Sequence, residues 1–514
     1  MVALNNIQEV NNISENQSII KKRFLFKLIR SSVGAGFAII TLPLVTRSLG
    51  AEQYGTFNYL KVFFEKIIGF LDVGTSGFYP KLSRRPSDKG IIRFVLIYDA
   101  ILFLATIMML GVLFLTGLAE SVLTIQSFAI AFSALLLAWL LLVNQKMTSF
   151  MDALGKTISN EMILMAMRLA LTIGLVLLFI SKKLNLTTFL QFQNVVLIFF
   201  LSILLLLAIK YFDKENKSTS IKETAQEFKA YSLPLFWAST LGLIAGIADR
   251  WLLQVFGGAT AQGFYSLGLN LGAICFLITG SLTPLLMREY AIAHEKNDKD
   301  RLRYLFSKYL PLFFVITATI ACFLAVHGDW LAPLVGGGEF SEAAVPVMLL
   351  GLAPIHQTYG QLSGSLMTAT DRTREYAGIS MFMLILSLPI TYFTLAPEQY
   401  WGLNLGATGL ALKLVVLQII AVNLQIWYNT RYLGIGMVGF ITHQMLIVTV
   451  FLLFAFVTKF LVGIVLGSGI VGMIISSLLY IGLIAVLVFI FPQLISMTRS
   501  EMIYHIKAGL AFLR

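Results

Sequence analysis

Apolar runs of 20 or more residues, separated by short breaks carrying Lys, Arg, Asp, Gly or Pro, repeat from near residue 25 to near residue 491. A run of about 20 apolar residues is the length at which an α-helix crosses the hydrocarbon of a bilayer with every backbone group bonded internally. Run length and breaks predict about fourteen spans: 25–48, 57–80, 91–117, 124–150, 158–181, 187–210, 231–256, 262–287, 304–327, 343–369, 375–396, 403–429, 437–462 and 467–491.

Composition agrees with this pattern. Of 514 residues, 58% are hydrophobic and 12% charged, and the mean hydropathy is +0.83, values outside the range of soluble domains. No stretch between runs is long enough for a separate soluble domain. The first 20 residues are polar and precede a basic cluster, which is not the order of a cleaved signal peptide, so the first helix is expected to stay as an anchor. Cys275 and Cys322 both fall inside spans and read as packing residues.

Charge in the breaks sets an orientation. Lys and Arg concentrate in alternate loops, as at Lys21–Lys27, Lys81–Arg93, Lys214–Lys229 and Arg288–Arg303, whereas the opposite loops hold chiefly Lys182 and Lys183. By the positive-inside rule both termini face the cytoplasm and the helix number is even. The net charge of +12 is then mostly a topology signal and not a nucleic-acid footprint.

The chain also repeats itself. YGTFNYLKV at 54–62 pairs with QGFYSLGLN at 262–270, GTSGFYPKLSRR at 74–85 with GSLTPLLMREYA at 280–291, and MDALGKTISNEMILM at 151–165 with MTATDRTREYAGISM at 367–381, at offsets of 208, 206 and 216. Two copies of six helices, related by an axis along the membrane normal, follow from near-constant offset and equal entry side. The expected organisation is a cytoplasmic segment 1–23, an N-lobe 24–211, a linker 212–230, a C-lobe 231–430, two further helices in 431–491 and an interfacial tail 492–514.

Charges inside spans are the candidate chemistry, because a lipid-facing charge costs several kcal/mol and such residues normally face water or one another. They include Lys61, Glu65, Lys66 and Asp72 in the second span, Asp99 in the third, Arg168 in the fifth, Asp249 and Arg250 in the seventh and Lys413 in the twelfth. Lys61, Glu65 and Asp72 share one helical face and read as a polar stripe. Adjacent Asp249 and Arg250 fit either a packing pair or a transport site; Lys61 and Arg47, near the interface, fit snorkelling as well as ligand contact. Glu161 and Lys459, near span ends, read as structural. Gly155-Lys156-Thr157 imitates a phosphate loop but lacks its upstream glycine and its strand. His356 and His443 lack metal-ligand spacing, Trp330, Tyr400 and Trp401 suit an aromatic belt, and the Gly402/Gly406 and Gly463/Gly467 pairs suit close helix contact. No cofactor is expected, and without a nucleotide-binding domain an ion or substrate gradient must drive any transport.

The stretch LPLVTRSLGAEQYGTFNYLKVFFEKIIGFLDVGTSG, with Pro43, Thr46, Arg47, Gly50, Tyr54, Gly55 and Asp72, resembles the opening of Wzx-type oligosaccharide flippases of the multidrug/oligosaccharidyl-lipid/polysaccharide exporter superfamily, and ADRWLLQ followed by GFYSLG is similar to that family's second half. The resemblance implies an all-α polytopic protein of about fourteen helices, built as two six-helix lobes like the multidrug exporters plus two C-terminal helices. It implies a bacterial inner-membrane flippase, not an enzyme, serving polysaccharide or O-antigen assembly. It would move undecaprenyl-pyrophosphate-linked oligosaccharide by alternating access, with membrane lipids and other polysaccharide-assembly proteins as partners and no nucleic acid. A pyrophosphate needs fixed positive charge, which makes Arg47, Lys61, Lys66, Arg168, Arg250 and Lys413 the substrate-binding candidates; Asp72, Asp99 and Asp249 are the cation-coupling candidates. The alternative is a related exporter of small amphipathic cations. A glycan polymerase or ligase would need a longer external loop than 327–343.

Overall fold

In a computed structural model, residues 2–72, 89–210 and 220–502 are described. They form helices joined by short turns, with no strand among them. The helices are α1 Val2–Leu71, α2 Lys89–Leu115, α3 Leu118–Val122, α4 Phe128–Ala153, α5 Thr157–Ile180, α6 Leu186–Lys210, α7 Ile221–Gly272, α8 Phe276–Glu295, α9 Lys299–Val326, α10 Gly328–Gly336, α11 Ala344–Ala369, α12 Thr373–Leu395, α13 Gly406–Leu433, α14 Val438–Leu466 and α15 Ile470–Ile490.

Eleven described helices are long and apolar enough to cross a membrane. Helix α1 breaks at Gly50 and counts twice; α7 breaks at Gly258, and its second arm runs on through α8. With α1 counted twice and the two arms of α7, which lie outside those eleven, added, the helices come to about fourteen, in line with the reading of the sequence. The two breaks are alike in detail: φ 68°, ψ 178° at Gly50 and φ 74°, ψ −177° at Gly258, a region open essentially to glycine alone. They lie 208 residues apart, the offset of the first repeat pair.

Several local expectations are corrected. The loops expected at 49–56 and 257–261 are one-glycine breaks with helix on both sides. The polar first residues are helical and continuous with α1. The linker expected at 212–230 holds the start of α7 from Ile221. Gly402 and Gly406 are not a helix-contact pair: Gly402 packs under the Ala396 carbonyl in the turn before α13, and Gly406 starts α13 at φ 52°. Gly463 does approach Trp330, but Gly467 is the turn between α14 and α15.

Two compact units divide the chain. The first comprises 1–49 and 57–250, the second 50–56 and 251–514. Within the first, α4 packs on α6 and α5; Trp139 Nε1 donates to Thr106 Oγ1 at 2.8 Å in a buried contact, and Tyr59 OH donates to the Val122 carbonyl at 2.5 Å. Within the second, α9, α11 and α13 form the centre of a large apolar core. Phe314 meets Tyr359 edge-on at 4.5 Å, and some of the polar side chains buried there pair with one another, as in Thr317–Thr358 at 3.2 Å and Asn429 Nδ2 to Ser363 Oγ at 2.7 Å. Cys275 and Cys322 are buried thiols of this unit.

Candidate functional site

Three helices of the first unit converge on a buried ion cluster. Helix α1 ends at Leu71, and the Asp72 amide closes its last turn on the Ile68 carbonyl, aiming the carboxylate inward. Lys146 of α4 places its ammonium 2.6 Å from Asp72 Oδ1 and 2.5 Å from Asp99 Oδ1 of α2. Lys146 and Asp72 are each about 94% buried, so the shared ammonium works in a medium where charge attraction is far stronger than in water. Two of the three coupling candidates thus meet through a lysine that sequence reasoning missed. Its signal was available, a lone Lys inside the predicted span 124–150, but its depth near the span end disguised it. The predicted stripe dissolves here: Asp72 turns into the protein, while Lys61 and Glu65 stay half-exposed at 3.9 Å from one another.

A second cluster joins the first part of α1 to α4 and α5. Lys27 pairs with Asp152 at 2.8 Å, and Arg30 Nε lies 2.7 Å from Glu161 Oε2, a carboxylate with no exposed surface. Glu161 therefore ties helices together, as its place near a span end suggested. Asn160 beside it is equally buried, with neither amide atom hydrogen-bonded. About two turns further along α5, Arg168 lies across α1 at Gly34: a methyl group added there would meet the guanidinium at 3.0 Å. Arg30 repels Arg168 electrostatically. Among the described residues Arg168 has no carboxylate in ion-pair range.

Lys66 repeats this arrangement. Its stem crosses α7 at Gly246, where an added methyl would meet Cε at 3.3 Å, and among the described residues it too lacks an ion-pair partner. Arg250 stands one turn beyond Gly246 on the same face of α7, next to Asp249, and both are half-buried and engaged in contacts of their own. Arg47 is exposed near the Gly50 break and also has a partner. Lys413, likewise engaged, is about 96% buried in α13 of the second unit. Among the described residues no group of His, Cys, Asp and Glu is arranged to hold a metal ion.

The charge-bearing helices lie within a recognisable stretch of sequence. Residues 20–289 match the model of a family described as polysaccharide biosynthesis protein. The chain belongs to the polysaccharide biosynthesis protein family. Its family region contains every site candidate except Lys413, together with Lys146 and both glycine breaks. None of the curated proteins matches the chain. Among solved structures, the chain is similar to the lipid II flippase MurJ in an inward closed conformation, with a TM-score of 0.62 at 14% identity over 90% of this chain and 99% of that one. It is also similar to transporters of the MOP superfamily's multidrug-resistance MATE family: the inward-facing form at TM-score 0.59 and 10% identity over 79% of this chain and 94% of that one, and the outward-facing form at 0.54 and 12% over 80% and 96%. At such identities the likeness fixes the fold: this family member is a multi-pass, all-α membrane protein with the architecture of that superfamily.

Proposed function

We propose that the chain is a Wzx-type flippase that carries undecaprenyl-pyrophosphate-linked oligosaccharide across a bacterial inner membrane by alternating access, with both termini cytoplasmic. The observation that carries this reading is the pair of cations, Arg168 and Lys66, carried on apolar helices with their side chains exposed and with no carboxylate in ion-pair range among the described residues. A cation so placed needs water or an anionic ligand, and the family membership in polysaccharide biosynthesis supplies a ligand class whose pyrophosphate bears the complementary charge. Arg168 offers a bidentate fork and Lys66 a point charge; Arg47, Lys61, Arg250 and Lys413 are the remaining head-group candidates.

Coupling to a cation gradient is assigned to the Asp72–Lys146–Asp99 cluster together with Asp249. A carboxylate binds H⁺ or Na⁺ in one state and releases it in the other only if its surroundings change, and displacement of the Lys146 ammonium would be such a change. The test is reconstitution into liposomes with a labelled lipid-linked oligosaccharide in one leaflet and an imposed ion gradient. Gradient-dependent appearance of label in the other leaflet is expected. Export of a small amphipathic cation without movement of the glycan lipid would refute the reading.

A further inference from the structure

The two glycine breaks touch one another with two-fold reciprocity. Gly55, five residues after Gly50, packs so closely that an added Cβ would fall on the Ala259 carbonyl oxygen; Gly263, five residues after Gly258, packs likewise on the carbonyl oxygen of Ala51. Residues 51 and 259, and 55 and 263, are equivalent at the repeat offset of 208, so each bend presents its glycine to the other bend's first residue. Contacts in which i meets j′ and j meets i′ are the signature of a two-fold axis.

The loop before α11 pins this pair. Glu339 Oε2 accepts a hydrogen bond from the Ala51 amide at 3.0 Å, capping the second arm of α1 at its first turn. Phe340, fully buried, stands edge-on to Tyr54 of one bend and Phe264 of the other, at 6.0 and 5.9 Å. Asn270 Nδ2 donates to Tyr54 OH at 2.7 Å. These contacts explain why residues 50–56 belong to the second compact unit although Leu49 and Phe57 belong to the first.

We infer that the 50–56 bend is a detachable clasp: a piece of the first repeat docked on the second by Gly55, Gly263 and Glu339, which must let go in each transport cycle. The inference rests on the flippase reading only for its place in a cycle. The docking is a property of the protein alone, and its test needs no substrate. Ala51 is a residue of the clasp and is buried while it is docked, and both native thiols are buried elsewhere. In the reconstituted protein carrying Ala51→Cys, the rate of modification by a membrane-impermeant maleimide reports undocking. Adding Gly55→Ala or Gly263→Ala, which the backbone contact cannot accommodate, is expected to raise that rate by roughly tenfold, since a close-packed contact has no room for a methyl group. Glu339→Ala changes an exposed side chain, keeps the fold, and is expected to raise it by about threefold through loss of one cap. An unchanged rate in Glu339→Ala and in whichever glycine variants insert normally overturns the clasp. Raised rates in a protein that moves no glycan lipid would uphold the clasp and count against the flippase reading instead.

Discussion

The two compact units spend their buried volume differently. In the first, helices that cross the membrane draw ionised groups into their interior: Asp72, Asp99 and Lys146 in one cluster, Arg30 and Glu161 in another. In the second, ion pairs such as Arg303–Asp300, Arg372–Glu375 and Lys459–Asp329 stand at helix ends, and the interior is a broad core of aromatic and aliphatic side chains in which Lys413 is the one buried Lys or Arg among the described residues. The difference teaches where each unit's stability comes from. A core of packed rings has one close-packed arrangement and is destabilised by any loss of volume, whereas a cluster of charges has more than one arrangement of nearly equal energy and can serve as a switch.

Replacing Lys146 by Ala should have the largest effect, because it removes an ammonium shared by two buried carboxylates. A stability loss on the order of 4 kcal/mol is expected for such a break, read as the unfolding midpoint in detergent. The triple change Lys146→Met, Asp72→Asn, Asp99→Asn should recover most of that loss while transport no longer responds to the ion gradient. Recovery of gradient response in the triple variant would erase the distinction between the units.

Phe314→Ala in the second unit is expected to cost about 3 kcal/mol through lost apolar contact and a cavity, while the folded fraction binds substrate as the parent does. A changed affinity would show that the second core takes part in recognition.

His327 sharpens the comparison by pH. Burial holds its imidazole down at about 4, and its Nε2 lies 2.8 Å from Ser476 Oγ. Because the folded-state value is depressed, the unfolded chain takes up the proton first. The stabilising contribution is complete above pH 6.5 and is lost as the pH falls towards 4, by on the order of 2 kcal/mol. His327→Gln should flatten the melting curve against pH in that window; an unflattened curve assigns the acid sensitivity to other groups.

The smallest effect is expected at Thr498, which exchanges backbone and side-chain hydrogen bonds with Glu501 in a capping box. Hydrogen bonding to the Thr498 amide and to Lys308 holds the Glu501 carboxyl down at about 2. Thr498→Ala should loosen this turn by about 1 kcal/mol, seen as faster amide exchange over 499–502 with no change in the global midpoint.

The fold was legible because the bilayer imposes one rule on every span, a helix of apolar residues about 20 long, and the fourteen spans survive with shifted ends. The shifts have a single cause at the two breaks. Ala51, Glu52 and Gln53 are polar or small enough to read as loop, yet one glycine in a region closed to other residues turns the chain and the helix restarts at once. Of the site, the charged residues were legible singly, since each is anomalous against its apolar surroundings. Their partners were not, because pairing depends on helix rotation and depth: Asp72 and Asp99 could be named, but the ammonium joining them comes from α4 and lay close enough to a span end to pass for a snorkelling lysine. The degree of exposure was equally hidden: Arg47 is exposed and Arg250 half-buried.

The central claim is that the first unit's unpaired cations receive the anionic head group. Its most direct measurement is equilibrium binding of a purified undecaprenyl-pyrophosphate-linked oligosaccharide to the detergent-solubilised protein, comparing the parent with Arg168→Ala, Arg168→Lys and Phe314→Ala. Loss of a charge-assisted hydrogen bond to pyrophosphate raises Kd by roughly 10- to 100-fold. That rise is expected for Arg168→Ala, with partial recovery in Arg168→Lys and no change in Phe314→Ala. Equal Kd for the parent and a fully folded Arg168→Ala would contradict the account.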